Sequence, residues 1–97
     1  MSATFRAVML TRKGSPKALD VLKVVDVPVE EPRPGQLRVH VRAAGVGSTD
    51  LMMLGGGYLF APKIPFVPGY EVAGVVDAIG PGVSDFRVGD RVAALTV

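Results

Sequence analysis

Twelve glycines and eight prolines are spread through 97 residues, and this limits the fold more than any other feature of the chain. Glycine weakens a helix because its backbone is too free, and proline breaks one because it lacks the amide hydrogen. At this density long helices are interrupted and short strands are punctuated. A mainly β body is therefore expected. Apolar residues make up 48% of the chain and charged residues 21%, a balance that can bury a core and does not favour disorder. The length allows one small domain with a thin core and marginal stability.

Alternation and turn residues place the elements. Residues 5–11 read as a first strand with Val8 and Leu10 on one face, and residues 22–27 as a second, stopped by Pro28. Residues 36–44 give the clearest pattern. Leu37, Val39, Val41 and Ala43 alternate with Arg38, His40 and Arg42, so one face should be buried and the other wet. Residues 71–79 form a Val-rich strand. Gly74 inside it predicts a bulge or the close approach of another backbone. Residues 91–97 form a last strand. Turns are expected at residues 12–16, at Pro34-Gly35, at Gly80-Pro81-Gly82 and over residues 85–90.

Residues 45–57 differ in character. Ser48 or Thr49 can cap a short helix over Asp50, Leu51, Met52, Met53 and Leu54, ended by Gly55-Gly56-Gly57. Pro62, Pro65 and Pro68 make the next stretch an extended, irregular loop. Several short strands at this spacing point to a small barrel or sandwich. The chain stops on the apolar run Val92-Ala93-Ala94-Leu95-Thr96-Val97, which reads as truncated, split or completed by a partner.

Several function classes are excluded or disfavoured. The net charge of +2 is small, the basic residues are scattered, and the six aromatics do not interleave with them, so no nucleic-acid surface is expected. There is no cysteine, hence no disulfide, thiolate metal site or cysteine nucleophile. The first thirty residues lack the order of a signal peptide, and no apolar run is long enough to span a membrane. A cytoplasmic protein is expected. Gly55-Gly56-Gly57 fits neither G-x-G-x-x-G nor a P-loop and reads as a flexible turn.

Four segments carry a resemblance to a known family: Ala43-Ala44-Gly45-Val46 followed by Thr49-Asp50-Leu51; Pro68-Gly69-Tyr70-Glu71; Val72-Ala73-Gly74-Val75-Val76 leading to Ile79-Gly80; and Phe86 with Gly89-Asp90-Arg91-Val92. In this order and spacing they resemble the medium-chain dehydrogenase/reductases. The resemblance implies a GroES-like, partly open β-barrel with one short helix over residues 1–97. It also implies that this barrel is truncated before its last strands, with the Rossmann domain absent. In the zinc-dependent branch the positions matching Gly47 and Tyr70 are a cysteine and a histidine that bind the catalytic zinc. Glycine has no ligand atom and a phenol replaces an imidazole poorly, so no zinc is expected. The chain then resembles the zinc-independent quinone oxidoreductases, which use NADPH, although the asparagine frequent there at the position of Gly47 is missing.

That resemblance implies hydride transfer to a quinone or an α,β-unsaturated carbonyl, with the protein positioning substrate, excluding water and stabilising developing negative charge. Thr49, Tyr58 and Tyr70 are then the substrate-cleft candidates, and Gly47 and Ser48 the nicotinamide-side ones. Each has a plainer reading. Thr49 serves equally as a helix cap, and Tyr58 and Tyr70 can fill gaps in a core. Asp50 and Glu71 match positions behind the zinc ligands. Without a metal they fit structural work against backbone or an arginine. His40, the only histidine, belongs to a wet strand face, and Met52 and Met53 read as core filler.

A chain of this kind should be inactive alone and should not hold NADPH tightly. Its partners would be a small carbonyl or quinone substrate and a missing Rossmann domain or partner chain, with a homodimer open. The alternatives are a free-standing GroES-like binding or assembly module, which would form a discrete multimer, and one chain of a split reductase.

Overall fold

The computed structural model describes residues 3–12, 21–48, 50, 52 and 63–96. Among them are five strands: β1 (Thr4–Leu10), β2 (Leu22–Pro28), β3 (Leu37–Ala44), β4 (Glu71–Ile79) and β5 (Arg91–Leu95). All pairings between strands are antiparallel. β1 pairs with β2 in one sheet, and β3, β4 and β5 form a second sheet in that order. The described residues are thus mainly β, as the spacing of glycine and proline requires. They fall into two compact units, residues 1–29 with 46–69, and residues 30–45 with 70–97.

The first unit is centred on Leu10 and Val21. Both are buried, with Leu22, Ile64 and Phe66 packed against them. The backbone reinforces this packing. Leu10 and Phe66 exchange amide-to-carbonyl bonds of 2.8 and 3.3 Å. The amide and hydroxyl of Thr11 both donate to the Val21 carbonyl. The proline-rich stretch therefore contributes a bridge at Phe66 to the end of β1. Val8 shares a strand face with Leu10, as expected, but lies exposed opposite the exposed Val24.

In the second unit each expected turn has a defined form. Pro34 and Gly35 occupy the centre of a turn closed by the Gln36 amide on the Arg33 carbonyl, and Gly35 has a φ of 78°. Pro81 and Gly82 repeat the arrangement, with the Val83 amide on the Gly80 carbonyl and a φ of 81°. Proline followed by a residue with positive φ is the type II pattern. The two turns bond to each other through Gly35 N to Pro81 O, 3.0 Å, and Gly80 N to Gln36 O, 2.8 Å. The segment Gly89-Asp90-Arg91-Val92 starts β5 in the same manner. Asp90 accepts from the Arg87 amide, while the Gly89 amide and Asp90 carbonyl bond Val76.

Two bulges reshape the β3–β4 pair. Arg38 faces Ala78 and Val39 faces Val76, so Asp77 is extra in β4. Its carboxylate takes a 2.7 Å bond from Arg38 Nε, and Glu31 lies 3.3 Å from the same guanidinium. The hydrogen bond to Asp77, then the charges of Asp77 and Glu31, outweigh desolvation and raise the Arg38 pKa above its ordinary value. Val41 faces Gly74 and Ala43 faces Ala73, so Arg42 is extra in β3. One extra residue inverts the alternation. Leu37, Val39 and Val41 keep one face and Ala43 turns to the other. This corrects the expected single buried face over Leu37, Val39, Val41 and Ala43, and Val41 itself is exposed.

Candidate functional site

Gly47, Ser48 and Asp50 share one turn in the first unit. The backbone is helical at Ser48, Asp50 and Met52. Asp50 Oδ2 accepts a 2.8 Å bond from the Gly47 amide, and the Asp50 amide donates to the Gly47 carbonyl over 3.1 Å. An acidic residue three positions into a helix, reaching back to the amide of the capping residue, is half of a capping box. The cap was expected at Ser48 or Thr49, yet Ser48 is already inside the helical turn and Gly47 holds the capping place. The carboxylate three residues on satisfies the amide of Gly47, while glycine brings no side-chain acceptor of its own for the first-turn amides. Asp50 thus works against backbone. Its second oxygen, Oδ1, is buried with no hydrogen-bond partner. Replacing Asp50 with alanine should cost about 1 kcal/mol of local stability and speed hydrogen exchange at the Gly47 amide about fivefold. Ser48 is exposed. Thr49, Tyr58 and Met53 lie outside the described residues.

Tyr70 and Glu71 open β4 in the second unit. Tyr70 is half-buried, and its carbonyl accepts a 2.7 Å bond from the Thr96 amide, which extends the β4–β5 ladder by one residue. Glu71 faces Leu95, and its carbonyl accepts from the Gly45 amide at 3.0 Å. Its side chain lies over Gly45. A Cβ at Gly45 would stand 2.7 Å from Glu71 Oε2 and 3.3 Å from Glu71 Cβ. The carboxylate has no hydrogen-bond or ion-pair partner among the described residues. His40 is exposed beside Val75, on the same face as Arg91.

The register sets Ala43, Ala73 and Ala93 side by side across the three strands on the face that carries Glu71 and Leu95. Small side chains there leave an open basin of about 540 Å³, lined by Ala43, Ala44, Gly45, Glu71, Val72, Ala73, Ala93, Ala94 and Leu95. Glu71 supplies the one polar side chain of that lining. The opposite face holds a trough of about 390 Å³ between Leu37, Val39, Val41, Phe86 and Val92, with no charged group. Sequence reading named Ala43, Ala44 and Ala73 in the segments of the resemblance but gave the alanines no role in a site. The available signal was the Ala-Ala pair at Ala43-Ala44, at the end of β3, and again at Ala93-Ala94, inside β5, but the pairing that aligns them depends on the Arg42 bulge.

Residues 33–97 match the alcohol dehydrogenase GroES-like domain. The chain is 39% identical over 92% of its length to human synaptic vesicle membrane protein VAT-1 homolog-like, covering 20% of that protein. It is 38% identical over 90% of its length to the quinone oxidoreductase of Lama guanicoe, covering 26%. The crystal structure of the human VAT-1 homolog-like protein superposes with a TM-score of 0.89 at 38% identity, over 97% of this chain and 29% of that one. A mycobacterial protein solved with NADPH superposes with a TM-score of 0.83 at 38% identity, over 95% and 28%. The chain spans about a quarter of the length of the relatives it matches. The GroES-like fold expected from the four segments is the fold these proteins share, and the chain belongs to the alcohol dehydrogenase GroES-like domain family of the medium-chain dehydrogenase/reductases.

Proposed function

We propose that this chain is the substrate-side portion of a cytoplasmic, NADPH-dependent oxidoreductase that delivers hydride to a quinone or an α,β-unsaturated carbonyl without zinc. The observation that carries this reading is the 38% identity to a quinone oxidoreductase along nine-tenths of the chain. The donor set supports the absence of zinc. Gly47 has no side-chain ligand, and its amide is already bonded to Asp50. Tyr70 stands where the zinc-dependent branch has histidine, and a closed or catalytic zinc site needs three or four such donors. These residues do not fit the metal.

Nor does this chain contain a run that fits a dinucleotide. It lacks the glycine fingerprint that sets a helix N-terminus against a pyrophosphate. The nucleotide is therefore proposed to be held outside these 97 residues, in a longer protein or a partner chain. Within them, Thr49, Tyr58 and Tyr70 are each proposed as a substrate-facing residue. Gly47 and Ser48 are the proposed backbone surface against the nicotinamide. The apolar basin beside Glu71 is the proposed wall that keeps water from the reacting carbons.

The test is an assay of the longest native form carrying this segment. NADPH oxidation should follow addition of a benzoquinone or a simple enone and persist after dialysis against a chelator. The 97-residue chain alone should leave NADPH unchanged. Loss of the reaction with the chelator would remove the zinc-independent reading. Failure with both acceptors, together with a discrete multimer, would favour an assembly module.

A further inference from the structure

The basin on the β3–β5 sheet is apolar apart from one carboxylate. The row Ala43, Ala73 and Ala93 forms its floor, and beside that row Glu71 stands on the central strand between Gly45 and Leu95. That carboxylate is bonded to nothing among the described residues and is exposed. Its position depends on Gly45, because a Cβ there would fall on Glu71 Oε2. A carboxylate held at the edge of an apolar floor attracts a cation or an O–H or N–H donor and repels an anion. A ligand that lies on alanine is flat and apolar on the side facing the sheet.

We propose that Glu71 is a specificity-determining residue of this basin. It selects flat, conjugated molecules that carry an O–H or N–H donor and no negative charge, and it rejects carboxylates of the same shape. This rests on the reading of the basin as part of the substrate wall and narrows the substrate class. A quinone or enone oxygen is an acceptor, so it must point away from Glu71. A hydroxyl or amino substituent on the ring then faces the carboxylate. The accepted substrates are ring carbonyls bearing a neutral donor group, and acidic enones are excluded.

The experiment is a titration of the isotopically labelled 97-residue chain with four one-ring probes, followed through the amide signals of Ala43, Gly45, Ala73, Ala93 and Ala94. The probes are benzylamine (a cation at neutral pH), phenol, anisole and benzoate. The expected order of affinity is benzylammonium, phenol, anisole, benzoate. Adjacent charge states should differ by about fivefold, the effect of one unit charge a few ångströms away in a water-exposed setting. Glu71→Gln should bring benzylammonium and benzoate within twofold of each other. Gly45→Ala keeps the charge but displaces the carboxylate, and it should shrink the discrimination partway. Equal binding of all four probes, preference for benzoate, or no movement of the basin signals would overturn the proposal. The binding readout is separate from catalysis. Charge-selective binding without NADPH-dependent reduction would sink the oxidoreductase reading and leave the role of Glu71 standing.

Discussion

Replacement of Gly74 by alanine should unfold the three-stranded sheet. Gly74 is buried in the middle of β4, paired with Val41 on one side and Val92 on the other. A Cβ there would run into the carbonyl oxygen of His40, with Val39 Cγ1 at 3.0 Å. The obstacle is backbone, so no rotamer change relieves it. β4 cannot retreat either, because β3 and β5 hold it from both sides. Overpacking in a well-ordered interior costs about 1–3 kcal/mol, and a collision with fixed backbone belongs at or above the top of that range. A loss of about 3 kcal/mol corresponds to a drop in Tm on the order of 15 °C for a chain of this size. Thermal melts followed by far-UV circular dichroism would measure it. Gly82→Ala is the control. Gly82 has a φ of 81° and nothing within 4 Å of its missing Cβ, so the cost is limited to about 1–2 kcal/mol of left-handed strain. Equal shifts for the two variants would show that backbone crowding at Gly74 is relieved by movement of β3.

Gly74 also marks how far the sequence reveals the fold. A glycine inside a Val-rich strand predicts close backbone approach, and the structure has the His40 carbonyl there. The limits of β4 were legible because Gly80-Pro81-Gly82 ends it unambiguously, and proline with glycine at Pro34-Gly35 fixed the turn before β3. These are local effects, decided by what a residue's own φ allows. The bulges at Arg42 and Asp77 were not legible. A bulge is a property of two paired strands, and nothing in the spacing of β3 alone says that Arg42 will be skipped. That single insertion turns Ala43 onto the face of Ala73 and Ala93 and builds the floor of the basin, so the basin was hidden for the same reason. The helical turn at Ser48 shows a milder case. Residue preference favours serine or threonine as the cap, but glycine takes that place and its amide is met by Asp50 reaching back. The expected partner of Glu71, backbone or an arginine, is not found among the described residues. Its carboxylate stands over Gly45 without a partner among the described residues.

Leu10→Ala should produce a second large loss, located in the other unit. Leu10 is 0% exposed, and Val21, Leu22, Ile64 and Phe66 close around it. Removing three carbons there leaves a cavity whose walls are fixed by the paired amides of Leu10 and Phe66 and by both Thr11 bonds to the Val21 carbonyl. A wall held by backbone collapses poorly, and a cavity that cannot collapse lies at the costly end of the usual 2–5 kcal/mol for leucine to alanine. In a small domain whose whole stability is of similar size, most molecules should be unfolded at 37 °C. Val8→Ala separates burial from pattern. Val8 lies two residues earlier on the same strand face, and alternation alone would give the two residues equal weight. It is 46% exposed, facing Val24 at 67%, so its truncation should cost no more than about 0.5–1 kcal/mol. Urea unfolding of both variants would give midpoints far apart if the core is centred on Leu10. Equal midpoints would mean that Val8 is covered in solution by something packed on the face of β1 and β2 that also carries Leu10, and that part of the face would then be an interface.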